Sequence, residues 1–191
     1  MSILDLLCSF FEKPTETITK IMKEKYMSTA FLGYFIGAII VSIVFKIESP
    51  LGAGLESFVL SIIFFFVLML SVGYFIASCS HLFLDMISDK SNATGLFTII
   101  GLSHFLKAII LPYIILSIQF PILSDFTSLF VFFVIVAQIW LIVSMMQKTY
   151  QIKKRLTLFA LLFSLIPAFI SIVAIVILTL VGIFYFISMF L

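Results

Sequence analysis

A handful of side chains in this sequence are of types that do chemistry, and they stand out against an almost unbroken apolar background: His81, Asp85, His104, Lys107 and the two cysteines, Cys8 and Cys79. Lys107 is the most informative. It lies about eleven residues inside an apolar run, and an ammonium group at the centre of a membrane-spanning helix costs about 2.5–3.5 kcal/mol on insertion scales. Such a lysine needs a partner or a cavity. Helical side chains lean toward the N-terminus of their own helix, so Lys107 points back toward the polar loop at 85–95, with His104 one turn away on the same face. Across that loop His81 and Asp85 stand at i, i+4. Asp85 is therefore the expected counter-ion of Lys107, with His81 and His104 nearby.

Two readings of this cluster compete. In one it is a polar site open to the cytoplasm, serving as a proton relay, a small-ligand site or a lipid-headgroup site. In the other it is an ion pair that fixes the register of two helices. A metal site from His81, Asp85 and His104 is the lesser reading, because only His81 and Asp85 have helical ligand spacing. Cys79 projects from a different helical face than His81 and reads as packing. Both cysteines are expected to be free thiols, without a disulfide framework. Ser71, Ser78, Ser80 and Ser103 add small polar positions suited to helix–helix contact.

The sequence contains no G-x-S-x-G, H-E-x-x-H, Walker or C-x-x-C motif. Nor has it a soluble domain to hold a nucleotide. No enzymatic activity and no cofactor are expected. A net charge of +2 is too small to imply a nucleic-acid partner.

What positions these residues is a set of helices in lipid. The chain has 191 residues, 63% hydrophobic and 10% charged, where a soluble domain would be about one-quarter charged. One globular core cannot hide that much apolar surface, so the bilayer itself is the partner that covers it. The fold expected is all-α: a polytopic integral membrane protein of five transmembrane helices, preceded by amphipathic interfacial helices.

Residues 1–26 form the amphipathic segment. Ser2 and Asp5 fit a capping box, and Pro14 breaks or restarts the helix. Ile18, Ile21 and Met22 then face away from Lys20, Lys23 and Lys25, as in a helix lying in the membrane interface. This start lacks a basic n-region and a small-residue cleavage site, so the first span reads as an uncleaved anchor. Residues 27–191 form the membrane domain, with spans at about 27–45, 57–81, 96–118, 126–146 and 168–190. Pro112 is expected to kink the third span. The uncharged run after Arg155 is too long for one straight span. Pro167 is taken as its break, with 156–167 interfacial or partly buried, the alternative being one long span kinked there.

Lysine and arginine near the span ends fix the orientation. With five spans, Lys13, Lys20, Lys23, Lys25, Lys90, Lys148, Lys153, Lys154 and Arg155 fall on one side and only Lys46 on the other. This places the N-terminus in the cytoplasm and the C-terminus outside, in a cell membrane. Gly33 and Gly37 in the first span have the G-x-x-x-G spacing that permits close helix approach, which allows homo-oligomerisation or a membrane-protein partner.

The order of these features resembles the bacterial Yip-domain family. FFEKPTETITKIMKEKYMSTAFLGYFIGAII is similar to the family's opening, in which an aromatic-rich start, a proline and an amphipathic helix lead into the first of five spans. IWLIVSMMQKTYQIKKRLTLFALLFSLIPAF is similar to its fourth span, basic loop and fifth span. The loop between spans two and three, ISDKSNATG, has one glycine where the family has a glycine-rich loop. The resemblance implies a five-span α-helical protein with a cytosolic N-terminus, in a bacterial inner membrane. Eukaryotic members act with Rab-type GTPases through a long cytosolic N-terminal region. Only about 26 residues precede the first span here, so that role is not carried over.

Two functions follow as expectations. The first is a non-enzymatic Yip-like scaffold or adaptor in membrane organisation or trafficking. The alternative is a small transporter or channel component using Lys107, His104, His81 and Asp85. A closed Lys107–Asp85 pair with no cavity favours the scaffold. A pocket reaching the histidines favours the alternative.

Overall fold

The computed structural model describes residues 5, 8, 9, 12, 13, 16, 17, 27–48, 55–88 and 92–190. Among them it is all-helical: α1 (Met27–Glu48), α2 (Leu55–Ser88), α3 (Ala93–Ser103), a 3-10 segment (His104–Ile109), α4 (Ile110–Gln119), α5 (Pro121–Ser124), α6 (Thr127–Tyr150) and α7 (Lys154–Phe190). Most of the amphipathic segment expected at 1–26 lies outside the described residues, as do parts of the loops around Pro50 and Lys90.

Four stretches are long and apolar enough to cross a membrane: Met27–Ile47, Ser57–Ile87, Ala93–Gln119 and Thr127–Tyr150. They mark a membrane protein. They also coincide with the first four expected spans to within a few residues, except that the second runs on past His81 toward the end of α2.

The core is built around one aromatic residue and the glycines that make room for it. Tyr34 of α1 is fully buried and its hydroxyl donates to the Phe97 carbonyl of α3 at 3.2 Å. A Cβ at Gly73 of α2 would overlap the Tyr34 hydroxyl. A Cβ at Gly101 of α3 would lie 2.7 Å from the Tyr34 ring and 2.8 Å from the Ala30 carbonyl. In lipid, helices are held by close packing and hydrogen bonds rather than by exclusion from water, and small residues at a crossing supply that packing.

The G-x-x-x-G pair is used in the same way. A Cβ at Gly33 would overlap the Gly101 carbonyl, and one at Gly37 would sit 3.1 Å from the Cβ and Nδ1 of His104. The glycine face that the sequence offered to a second copy is thus filled by α3 and the 3-10 segment of the same chain.

The expected kink in the third span takes a definite form. Pro112 has no N–H to give the carbonyl four residues back. Just upstream, His104–Ile109 winds as a 3-10 helix, with the Ile110 N–H reaching the Lys107 carbonyl. A 3-10 stretch inside a long helix is uncommon and often marks a functional position.

At the ends, Asn92 caps α3 by accepting from the Thr94 N–H at 2.9 Å. Tyr150, at the end of α6, donates to the Asn92 carbonyl at 3.2 Å. Tyr113 stacks on Phe130, ring centroids 4.0 Å apart, and donates to the Leu123 carbonyl at 2.7 Å, closing the turn before α6. The C-terminal cap of α6, Gln151, is left-handed at φ 55°.

One expectation is corrected in α7. The helix does not break at Pro167; it is continuous over 37 residues, about 55 Å at 1.5 Å per residue. Residues 156–167 are part of the bundle. Thr157, Ala160, Leu161, Ser164 and Ala168 are buried at i, i+3, i+4, i+7 and i+11, one stripe of a helix face. Ser80 of α2 donates to Ser164 at 3.0 Å, and Ser164 donates to the Leu161 carbonyl at 2.7 Å. The proline deletes one backbone donor, while the stripe packed on α2 carries straight across it.

Candidate functional site: a cleft with a polar floor

The 3-10 segment sets the site. It places His104 and Lys107 on the side of the third span that faces α2, α6 and α7. A cleft of about 330 Å³ lies there, lined by fourteen residues, of which His104, Lys107 and Gln138 are the polar ones. The volume is near the small end of ligand pockets, about 300–1,000 Å³. Val72 and Ile76 of α2, Ile100 of α3 and Ile142 of α6 are among its apolar walls. Ile135 of α6 and Leu165 of α7 also line it, and each is exposed at the protein surface, 44% and 39% respectively. The cleft therefore reaches the outer face of the bundle between α6 and α7, at a depth where that face meets hydrocarbon.

The floor is an ordered hydrogen-bonded set. Ser103, fully buried, donates its hydroxyl to the Ile100 carbonyl at 2.6 Å and accepts from Nε2 of Gln138 at 2.9 Å. The same Gln138 nitrogen lies 3.3 Å from Nδ1 of His104. Because the Ser103 proton is committed to Ile100, the amide must donate, which fixes the Gln138 orientation. Nδ1 of His104 is then an acceptor and its ring proton is on Nε2. Gly37 gives the imidazole room from one side, and the Tyr34 ring lies 5.0 Å from it, centroid to centroid.

Of the four residues singled out from sequence, the structure brings two together. His104 and Lys107 share the cleft. His81 and Asp85 do not line it. Asp85 is exposed near the C-terminal end of α2, about 20 Å along the helix from Val72 at 1.5 Å per residue. The expected Lys107–Asp85 pair is not formed, and among the described residues Lys107 has no ion pair. The physical reason is depth. In an antiparallel helix pair, partners must lie equally far from the connecting loop; Asp85 is next to it and Lys107 is half a membrane away.

Gln138 was not anticipated. Its signal was available, as an amide alone in the middle of an apolar span is expensive and faces the bundle interior. Tyr34, Gly73 and Gly101 were also unforeseen, since nothing in one sequence links an aromatic to the glycines that house it. Among the described residues no group of three or more His, Cys, Asp or Glu gathers as metal ligands, and Cys8 and Cys79 are free thiols.

Chemically, the cleft offers apolar contact along its walls and hydrogen-bond donors, one carried on an amine, at its floor. No family model, curated protein or solved structure matches the chain. The resemblance to the Yip-domain family rests on the residues that carry it.

Proposed function

We propose that this chain is a non-enzymatic integral membrane protein that binds a small lipophilic molecule within the bilayer, as a small transporter component or a membrane-solute receptor. One observation carries the reading: Lys107, near the middle of the Ala93–Gln119 span, lines a cleft and has no ion pair among the described residues. A lysine so placed is costly, and a binding site is the economical reason to keep it. A closed Lys107–Asp85 pair would have favoured the scaffold reading, and the depths of the two residues differ. Apolar walls suit a lipophilic solute better than a stream of hydrated ions. The mouth between α6 and α7 suits entry from lipid rather than from the cytoplasm.

The architecture we assign has five spans, α7 supplying the last, with the N-terminus cytoplasmic and the C-terminus outside. It accords with the distribution of lysine and arginine and with the Yip resemblance.

The experiment is direct. The purified chain is titrated with the neutral fluorophore N-phenyl-1-naphthylamine, and the titration is repeated on Val72→Trp and Ile139→Trp, each of which fills the cleft from a different helix. Saturable binding that both variants abolish is the expected result. Binding that is non-saturable, or unchanged in correctly folded variants, removes the reading.

A further inference from the structure

We infer that the occupant of the cleft is a lipid-soluble carboxylic acid, a single-chain or aryl amphiphile whose carboxyl group meets Lys107 at mid-membrane. This rests on the binding reading above and names the chemistry of the ligand.

The argument begins with depth. Lys107 sits near the centre of its 27-residue span. A phospholipid phosphate stays at the interface, about 15 Å from the centre of a hydrocarbon core about 30 Å thick, so it does not reach this amine. A free carboxylic acid does, because its neutral form dissolves in hydrocarbon. Acid and amine together carry no net charge, whether the shared proton rests on oxygen or nitrogen. Pairing them adds no net charge to the low-dielectric interior, and the acid, unlike a permanently charged phosphate or sulfonate, can reach the amine through hydrocarbon in its neutral form.

The floor fits the same group. A carboxyl has two oxygens and accepts more hydrogen bonds than it donates. The Lys107 amine supplies donors at one side. The His104 ring, held with its proton on Nε2 by the Gln138 contact at Nδ1, lines the same cleft three residues away on the same 3-10 turn and carries a neutral donor. Gln138 is occupied with Ser103 and serves to position His104. The walls above carry no carboxylate to compete for the lysine. The tail leaves past Ile135 and Leu165, both exposed to lipid, so chain length is not limited by the cleft volume.

The test uses the full chain in phosphatidylcholine nanodiscs loaded with N-phenyl-1-naphthylamine. Displacement by hexadecanoic acid is compared with displacement by its methyl ester, an isosteric tail without the acidic proton. We expect the acid to displace at least about tenfold more tightly, the size of one charge-assisted hydrogen bond. The preference should vanish in Lys107→Met and persist in Lys107→Arg. Equal displacement by acid and ester in the unmodified protein overturns the inference while leaving the cleft reading standing. A preference that survives in Lys107→Met also overturns it. Competition by phosphatidate doped into the nanodiscs, equal to that of the acid, assigns the site to a phosphate headgroup instead and overturns it too. If the neutral fluorophore itself finds no saturable site, both proposals fall together.

Discussion

Replacing Lys107 by methionine separates a lysine kept for binding from one kept for stability. The substitution preserves the length of the stem and removes the amine. An ammonium at the centre of a span costs about 2.5–3.5 kcal/mol. Here part of that cost is relieved, because Lys107 lies in a cleft beside the polar groups of His104 and Gln138. Without an ion pair among the described residues, little is lost in exchange. Lys107→Met should therefore stabilise the ligand-free protein by about 1–2 kcal/mol, less than the full insertion cost. At about 2–4 °C per kcal/mol for a chain of this size, its Tm should rise by several degrees in detergent. Asp85→Asn, at an exposed position about 20 Å along its helix from the cleft residue Val72, should change stability by less than about 0.5 kcal/mol. The double variant should equal the sum of the two within about 0.5 kcal/mol. The assay is thermal unfolding of the four proteins, read by intrinsic fluorescence and by loss of the monodisperse peak after heating. The reasoning is refuted if Lys107→Met falls by about 3–5 kcal/mol, as when a buried charge loses its partner, and Asp85→Asn restores it. That result would make the two charges a structural pair and return the scaffold reading to first place.

Two further outcomes follow from the packing and the orientation. Gly33→Ala sets a methyl against the Gly101 backbone, which cannot swing aside, and should destabilise by about 2–3 kcal/mol, the upper part of the overpacking range; Gly37→Ala meets only the His104 side chain at 3.1 Å and should cost less. Light scattering should find the oligomeric state unchanged in both, and a shift in oligomer population at unchanged stability would place the glycine face between copies instead. For the orientation, alkaline phosphatase fused after Leu191 should be active and green fluorescent protein at the same point dark; the reverse pattern would indicate an even number of spans.

Much of this fold was legible because lipid makes a simple demand. Every backbone donor must be satisfied within its own segment, so apolar length alone locates helices, and four of the expected spans appear as helices of spanning length. Periodicity along α7 was equally available. Thr157, Ala160, Leu161, Ser164 and Ala168 form a stripe, mostly of small and hydroxyl residues, that crosses Pro167, and that stripe is a better guide to helix continuity than the proline is to a break. The site was half legible. Types were readable: a lysine deep in a span had to matter, and His104, one turn away, had to share its face. What failed was the pairing, because side-chain direction was used without depth. Counting from the connecting loop separates Asp85 from Lys107 without any structure. Depth also bears on the ligand. A counter-ion supplied by the protein would have sealed the amine; setting Asp85 near the loop end of the neighbouring helix, away from the cleft, leaves the lysine open to whatever acid the bilayer delivers.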